Sequence, residues 1–211
     1  MLDAGETVPV VDDDPAVRKG LARLLRSAHH SVQTYASAAE FLARAGDDGV
    51  GCIVLDVRMP GLDGIELQER LAARGDDLPI IFLTGHGDIP MSVQAMKQGA
   101  FDFLTKPVDE EVLLGAVNRA LLRHRAASAE RLQTRALRAR LESLTPREQE
   151  VLRWVLSGAL NKQIAANLGI AEKTVKIHRG QVMKKLGLTS VAELIHACRC
   201  AGIEPLKDEN A

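Results

Sequence analysis

Val8-Pro9-Val10-Val11-Asp12-Asp13-Asp14 and Cys52-Ile53-Val54-Leu55-Asp56 are two short apolar runs, each closed by acid. Apolar runs of four or five residues that stop at charge read as strands buried on both faces, as in a parallel sheet with helices above and below. Both stretches therefore deliver carboxylates to the carboxyl ends of neighbouring strands. Two such charges about 5 Å apart, at an effective dielectric near 20, repel by roughly 3 kcal/mol. A hard divalent cation such as Mg2+ removes that repulsion. With the cation in place, one carboxylate can attack an incoming phosphoryl group, and Asp56 is the residue expected to do so.

On either side of these two runs, β-rich stretches alternate with helix-period segments up to about residue 108. Strands are expected near Val8 to Val11, Ser31 to Tyr35, Cys52 to Asp56, Pro79 to Leu83 and Phe101 to Leu104. This is the pattern of an α/β doubly wound five-stranded parallel sheet. Ligand sites in such sheets lie beyond the carboxyl ends of the strands, where Asp12, Asp13, Asp56, Thr84 and Lys106 all fall. Pro9 breaks a local rule, since it cannot donate to a sheet ladder, so the first strand is expected to begin late or to carry a bulge.

After residue 108 no strand is expected. Asp109 onward stays helical for about 30 residues, with Val112, Leu113, Val117, Leu121 and Leu122 as an apolar stripe that gives way to arginines. That stretch reads as a solvated helical linker, with a two-stranded coiled-coil contact as the alternative. A small all-α domain follows. Thr145-Pro146-Arg147-Glu148 is a capping box with proline at the first helical position; Gly158 ends that helix. Asn161 is expected to cap a short helix to Leu168, Gly169 to supply a turn, and Glu172 to Leu186 to form a longer helix. Ser190 with Glu193 is expected to box a last helix ending near Ala201.

The pair of helices around Gly169 has the proportions of a helix-turn-helix. Val175, Val182, Met183 and Leu186 recur at helical spacing and should face inward, which turns Lys173, Lys176, Ile177, Gly180 and Lys184 outward. Lysines can meet phosphate or guanine, and Ile177 a thymine methyl, while Gly180 permits close approach to the groove.

Charge agrees with two halves of different purpose. Residues 1 to 108 carry 16 Asp and Glu against 10 Lys and Arg, whereas residues 145 to 203 carry 4 against 9. The acidic half suits a cation, and the basic half suits the phosphates of double-stranded DNA. No apolar stretch approaches a membrane span, and Met1 to Glu6 has no secretory character, so a cytoplasmic protein without a membrane partner is expected. Cys52, Cys198 and Cys200 are read as reduced thiols.

Taken together, Val11-Asp12-Asp13-Asp14, Leu55-Asp56-Val57-Arg58-Met59-Pro60-Gly61, Thr84-Gly85-His86-Gly87-Asp88 and Lys106-Pro107 resemble the receiver domain of a two-component response regulator. Leu144 to Leu152, Asn161-Lys162-Gln163-Ile164-Ala165 and Thr174-Val175-Lys176-Ile177-His178 resemble the LuxR-type DNA-binding domain. The combination is similar to the NarL/FixJ regulators, with the receiver nearest the FixJ branch. The resemblance implies a receiver over 1-122, a helical linker over 123-141, a DNA-binding domain over 142-204 and a tail over 205-211.

It implies Asp56 as phosphoacceptor, Asp13 and Asp56 as direct Mg2+ ligands, Asp12 as a water-mediated one, and the backbone carbonyl of Arg58 as a further ligand. Thr84 and Lys106 would hold the phosphoryl group and Phe103 would be the switch aromatic, in place of the commoner Tyr. Arg58 and His86 would flank the phosphoryl group. Lys162, Lys173, Thr174, Lys176, Ile177, Gly180 and Lys184 would meet DNA. The partners implied are a sensor histidine kinase, DNA, a second copy of the chain after phosphorylation, and RNA polymerase. No enzyme beyond phosphoryl transfer to itself and slow self-dephosphorylation is expected. Two alternatives are a DNA-binding regulator whose receiver does not depend on phosphorylation, and a Mg2+-dependent aspartyl phosphatase. The latter usually has a second Asp two residues after the nucleophile, where this chain has Arg58.

Overall fold

The structure, a computed structural model, describes residues 6–44, 49–85 and 89–203, without the side chains of residues 89–91 and 200. Five strands, β1 (Thr7–Val11), β2 (Ser31–Tyr35), β3 (Ile53–Asp56), β4 (Ile80–Thr84) and β5 (Asp102–Thr105), form one parallel sheet in the order β2-β1-β3-β4-β5. Between them run α1 (Pro15–Ser27), α2 (Ala38–Leu42), α3 (Gly64–Ala73) and α4 (Ile89–Lys97). The strand order reverses direction beside β1 and β3, so the crevice at their carboxyl ends is the switch point of a doubly wound sheet.

Side chains alternate between the two faces because the strand period is two. Val11, Leu55 and Phe82 join Phe41 of α2, Leu67 and Leu71 of α3 and Ala95 of α4 in one core. Val10, Val54, Ile81 and Leu83 join Leu21 and Leu25 of α1 in the other. The second core is completed by α5 (Glu110–Glu142), which starts on the Asp109 carboxylate, an acceptor for the N–H groups of Glu111 and Val112 at 2.9 and 3.1 Å.

The sheet and α5 differ from expectation at two places. β1 neither begins late nor bulges, for Thr7 to Val11 pair residue by residue with Ser31 to Tyr35. The irregularity sits across from Pro9 instead. Between the pairs Thr7↔Val50 and Val10↔Val54 lie two residues of β1 and three of its neighbour. The N–H of Thr7 points to Gly49 on that side, and Pro9, two residues on, faces the same way, so the missing donor falls at a break in the ladder. The apolar stripe of α5 is also narrower than expected. Leu113, Ala116, Val117, Ala120 and Leu121 are buried at helical spacing, whereas Val112 and Leu122 are 49% and 65% exposed.

The chain divides into two compact units, Met1–Ser128 and Ala129–Ala211, with the division inside α5. In the second unit Leu141 and Leu144 enter a core made with α6 (Pro146–Leu156), α7 (Asn161–Leu168), α8 (Glu172–Leu186) and α9 (Val191–Cys200). The Thr145 capping box forms as expected, Thr145 Oγ1 accepting from the Glu148 N–H at 3.3 Å and Glu148 accepting from the Thr145 N–H at 2.7 Å. Two other caps differ. The cap position of α7 is Leu160, whose N–H donates to Gln163 at 2.7 Å, while Asn161 is taken by the Arg179 guanidinium at 2.8 Å. Ser190 caps α9, but Glu193 reaches past it to the N–H of Thr189 at 2.9 Å. No described helix is long and apolar enough to cross a membrane.

Candidate phosphoryl and DNA-binding sites

At the carboxyl ends of β1 and β3, Asp12 and Asp56 are buried and Asp13 is exposed, with one oxygen of each within 4.8 Å of the others. Among the described residues this is the one such group of carboxylate, thiol and imidazole side chains. The neighbouring acid has a different use: Asp14 caps α1, accepting from the Ala16 N–H at 2.7 Å. Asp12 is fixed by its own backbone, one oxygen accepting from the Asp14 N–H at 2.9 Å and its carbonyl accepting from Arg18 at 2.6 Å.

Lys106 reaches this group from the end of β5. Its ammonium lies 2.6 Å from Asp12 and 2.7 Å from Asp56, contacts that span 94 and 50 residues of the sequence. Burial pushes the Asp56 carboxyl above its ordinary range, and the charges of Asp12 and Asp13 add to this against the contact with Lys106. Burial works against the Lys106 ammonium, but its bonds to Asp12 and Asp56 prevail and raise its pKa. One ammonium thus serves two buried carboxylates with a third nearby, an arrangement short of positive charge and suited to a divalent cation. The oxygen donor set is that of a hard cation such as Mg2+.

The surrounding loops leave room for this chemistry. Gly64 opens α3, its N–H bonding the Val57 carbonyl at 2.9 Å. A Cβ there would fall 2.4 Å from the Asp56 carbonyl oxygen, so only glycine lets α3 start so close to the end of β3. Arg58 is exposed on the loop between them. Thr84 ends β4, buried, and its carbonyl accepts from the Lys106 N–H at 2.6 Å, so Thr84 and Lys106 are tied by backbone. Phe103 on β5 is half-buried, its ring 6.1 Å from that of Phe82 and tilted by 43°. Exposed Val93 and Met96 of α4 line a shallow open pocket with Phe103. His86 and Asp88 lie outside the described residues.

In the second unit, α7 and α8 meet at the Gly169 turn. Val175, Val182 and Leu186 are buried and Met183 half-buried, which leaves Lys173, Lys176, Ile177, Gly180 and Lys184 exposed on one stripe of α8. Ile177 is 52% exposed, a large apolar side chain among lysines. Thr174 is half-buried at the edge of the stripe, and Lys162 is exposed on α7. Lys185, adjacent in sequence, is not part of this surface. Its ammonium bonds the buried Glu148 at 2.6 Å. Nothing near Lys185 in the chain announces a buried acid, so this contact is not legible in the sequence.

Residues 8–118 match the response regulator receiver domain, and residues 142–198 match the bacterial regulatory proteins of the luxR family. The chain belongs to the response regulators with a LuxR-type DNA-binding domain. The response regulator protein TmoT of Ectopseudomonas mendocina is 47% identical over 99% of this chain and 92% of its own. The transcriptional regulatory protein FixJ of Azorhizobium caulinodans is 43% identical over 95% of both chains. A low-resolution structure of the response regulator StyR superposes with a TM-score of 0.83 at 50% identity, covering 93% of this chain and 99% of that one. The regulator is therefore a two-component transcription factor, with a sensor kinase implied by its receiver and DNA by its second domain.

Proposed function

We propose that the regulator is switched by phosphorylation of Asp56. The observation that carries this is the bridging ammonium of Lys106, held 2.6 and 2.7 Å from Asp12 and Asp56 with Asp13 beside them. A Mg2+ ion held by Asp13, Asp56 and the Arg58 carbonyl, and through water by Asp12, would neutralise charge on the transferring phosphoryl group. An Asp56 oxygen attacks the phosphorus as the bond to the histidine nitrogen of the sensor kinase breaks, forming an acyl phosphate. Lys106 then holds one phosphoryl oxygen and Thr84 donates its hydroxyl to another, drawing the end of β4 inward. Phe103, on the adjacent strand, follows into the space that opens. No other substrate is turned over, and slow hydrolysis of the acyl phosphate resets the receiver.

The exposed Val93 and Met96 beside Phe103 support a dimer surface on α4 and β5. The receiver occupies 1-122, the linker 123-141, the DNA-binding domain 142-204 and the tail 205-211. In DNA, the stripe of α8 enters the major groove and Lys162 and Thr174 flank it. Val191 and Ile195, 40% and 37% exposed on α9, support pairing of two such domains over half-sites about 10 base pairs apart. The paired form contacts promoter DNA, and through it RNA polymerase, in the cytoplasm. To invert a 1:99 population, phosphorylation must favour the active form by about 5.5 kcal/mol.

Sedimentation of the wild type and of Asp56→Asn, with Mg2+ and with or without beryllofluoride as the phosphoryl surrogate, tests this. A dimer only in treated wild type is the expected result. The same mass under all conditions would rule out the phosphorylation-driven dimer.

A further inference from the structure

The carboxyl end of α8 is tied to α5. A helix leaves its last carbonyls without helical partners, and here a glycine turn takes two of them. Gly187, at φ +69°, donates to Lys184 O at 3.2 Å, and Leu188 donates to Met183 O at 3.0 Å. The carbonyl of Leu186 lies beyond that motif, and it accepts from Arg140 Nη1 at 2.9 Å. Arg140 belongs to the last turn of α5, outside the luxR-family match, which begins at residue 142. Its guanidinium sits against the turn so closely that a Cβ at Gly187 would lie 2.9 Å from the same nitrogen.

Two further ties run alongside. Lys185 donates to the Ser143 carbonyl at 3.3 Å while bonding Glu148. Leu141 and Leu144 are buried in the core that also holds Val175, Val182 and Leu186. The end of α5 thus grips α8 by a capping arginine, a lysine and shared packing.

We propose that Arg140 is a positioning residue for sequence reading: it caps α8 from the linker helix and so fixes how the stripe of α8 enters the groove. This rests on α8 being the recognition helix. With 15 residues, α8 spans about 22 Å, so a rotation of about 5° about its carboxyl end moves its first turn by about 2 Å. Hydrogen bonds to base edges tolerate a few tenths of an ångström. Attraction to phosphates is far more forgiving. Losing the Arg140 cap therefore weakens discrimination between sequences more than it weakens binding to DNA in general.

The test uses the full chain with Mg2+ and beryllofluoride. The probes are the duplex that the wild type selects from a random-sequence pool and a scrambled duplex of equal composition. Affinity for both is measured over a range of salt, beside a thermal melt, for wild type, Arg140→Met, Arg140→Lys, Lys176→Ala and Arg138→Met, the last an exposed arginine as charge control. Arg140→Met should lose about tenfold in the ratio of selected to scrambled affinity, the worth of one charged hydrogen bond. Its affinity for the scrambled duplex and its salt slope should match Arg138→Met. Arg140→Lys, which can still donate to Leu186 O, should recover most of the ratio. An unchanged ratio in Arg140→Met, with or without a lower melting temperature, would overturn the inference while Lys176→Ala still weakens binding. So would a salt slope reduced by about one beyond the control, which would make Arg140 a phosphate contact. If Lys176→Ala also binds as wild type, the reading of α8 as recognition helix falls first, and the role of Arg140 with it.

Discussion

Asp56 and Glu148 are both buried carboxylates held by a lysine ammonium, at 2.7 and 2.6 Å, yet their titration is displaced in opposite directions. Burial pushes Asp56 up, with Asp12 and Asp13 adding repulsion. Glu148 is pulled down, first by its bond from Lys185 and next by the N–H of Thr145. The difference lies first in burial, which outweighs the lysine at Asp56 but not at Glu148, and then in how many negative charges share each ammonium. Lys106 is divided between two carboxylates, whereas Lys185 serves one that is also bonded by its capping partner. The first site is incomplete without more positive charge, and the second is complete as it stands. A buried acid with its lysine is thus short of positive charge in one unit and a structural fastening in the other.

Breaking the fastening should have the largest effect on stability. Lys185→Met leaves a buried carboxylate with only its Thr145 partners, and the melting transition of the second unit should weaken by about 2 kcal/mol while that of the receiver stays put. A loss below about 0.5 kcal/mol would mean that Glu148 does not need its lysine, and the contrast would collapse.

At the incomplete site the sign reverses. Mg2+ at ten times its dissociation constant should stabilise the receiver by about 1.4 kcal/mol, read as a shift in melting temperature. Asp56→Asn, which removes one charge while keeping the shape, should stabilise the metal-free receiver by about 1 kcal/mol and remove most of the response to Mg2+. Destabilisation by Asp56→Asn would show that the Lys106 contact outweighs the repulsion.

The smallest expected effect is in acid. Because the folded state lowers the Glu148 pKa, its contribution is present above the ordinary value of 4.5 and is lost as pH falls through the lowered one. The raised pKa of Asp56 works the other way: its contribution is present below the ordinary 3.8 and is lost as pH rises through the folded value. Acid melts should therefore weaken the second unit more than the receiver. In Glu148→Gln, already less stable at neutral pH, this part of the acid dependence should vanish.

The sheet was legible because each strand is a compact apolar run, and all five strands lie within one residue of their expected bounds. The carboxylates at the switch point were equally plain, since acid at a strand end is a local signal. What escaped was set by partners distant in the chain. Lys185 meets Glu148 across 37 residues, and Asn161 is drawn from the cap of α7 by Arg179, 18 residues on. Val112 and Leu122 join the expected apolar stripe by residue type, but a helix presents one face, and Leu113 and Leu121 hold it. The break across from Pro9 lies in the neighbouring strand's segment, where nothing in the Pro9 stretch itself could announce it.

The most direct measurement is the intact mass of the wild type and of Asp56→Asn after incubation with Mg2+ and a small acyl phosphate as phosphodonor. The wild type should gain the mass of one phosphoryl group, removable by hydroxylamine as an acyl phosphate is, and Asp56→Asn should gain none. Equal labelling of the two chains, or a label that resists hydroxylamine, would contradict the assignment of Asp56 as the residue through which the regulator is switched.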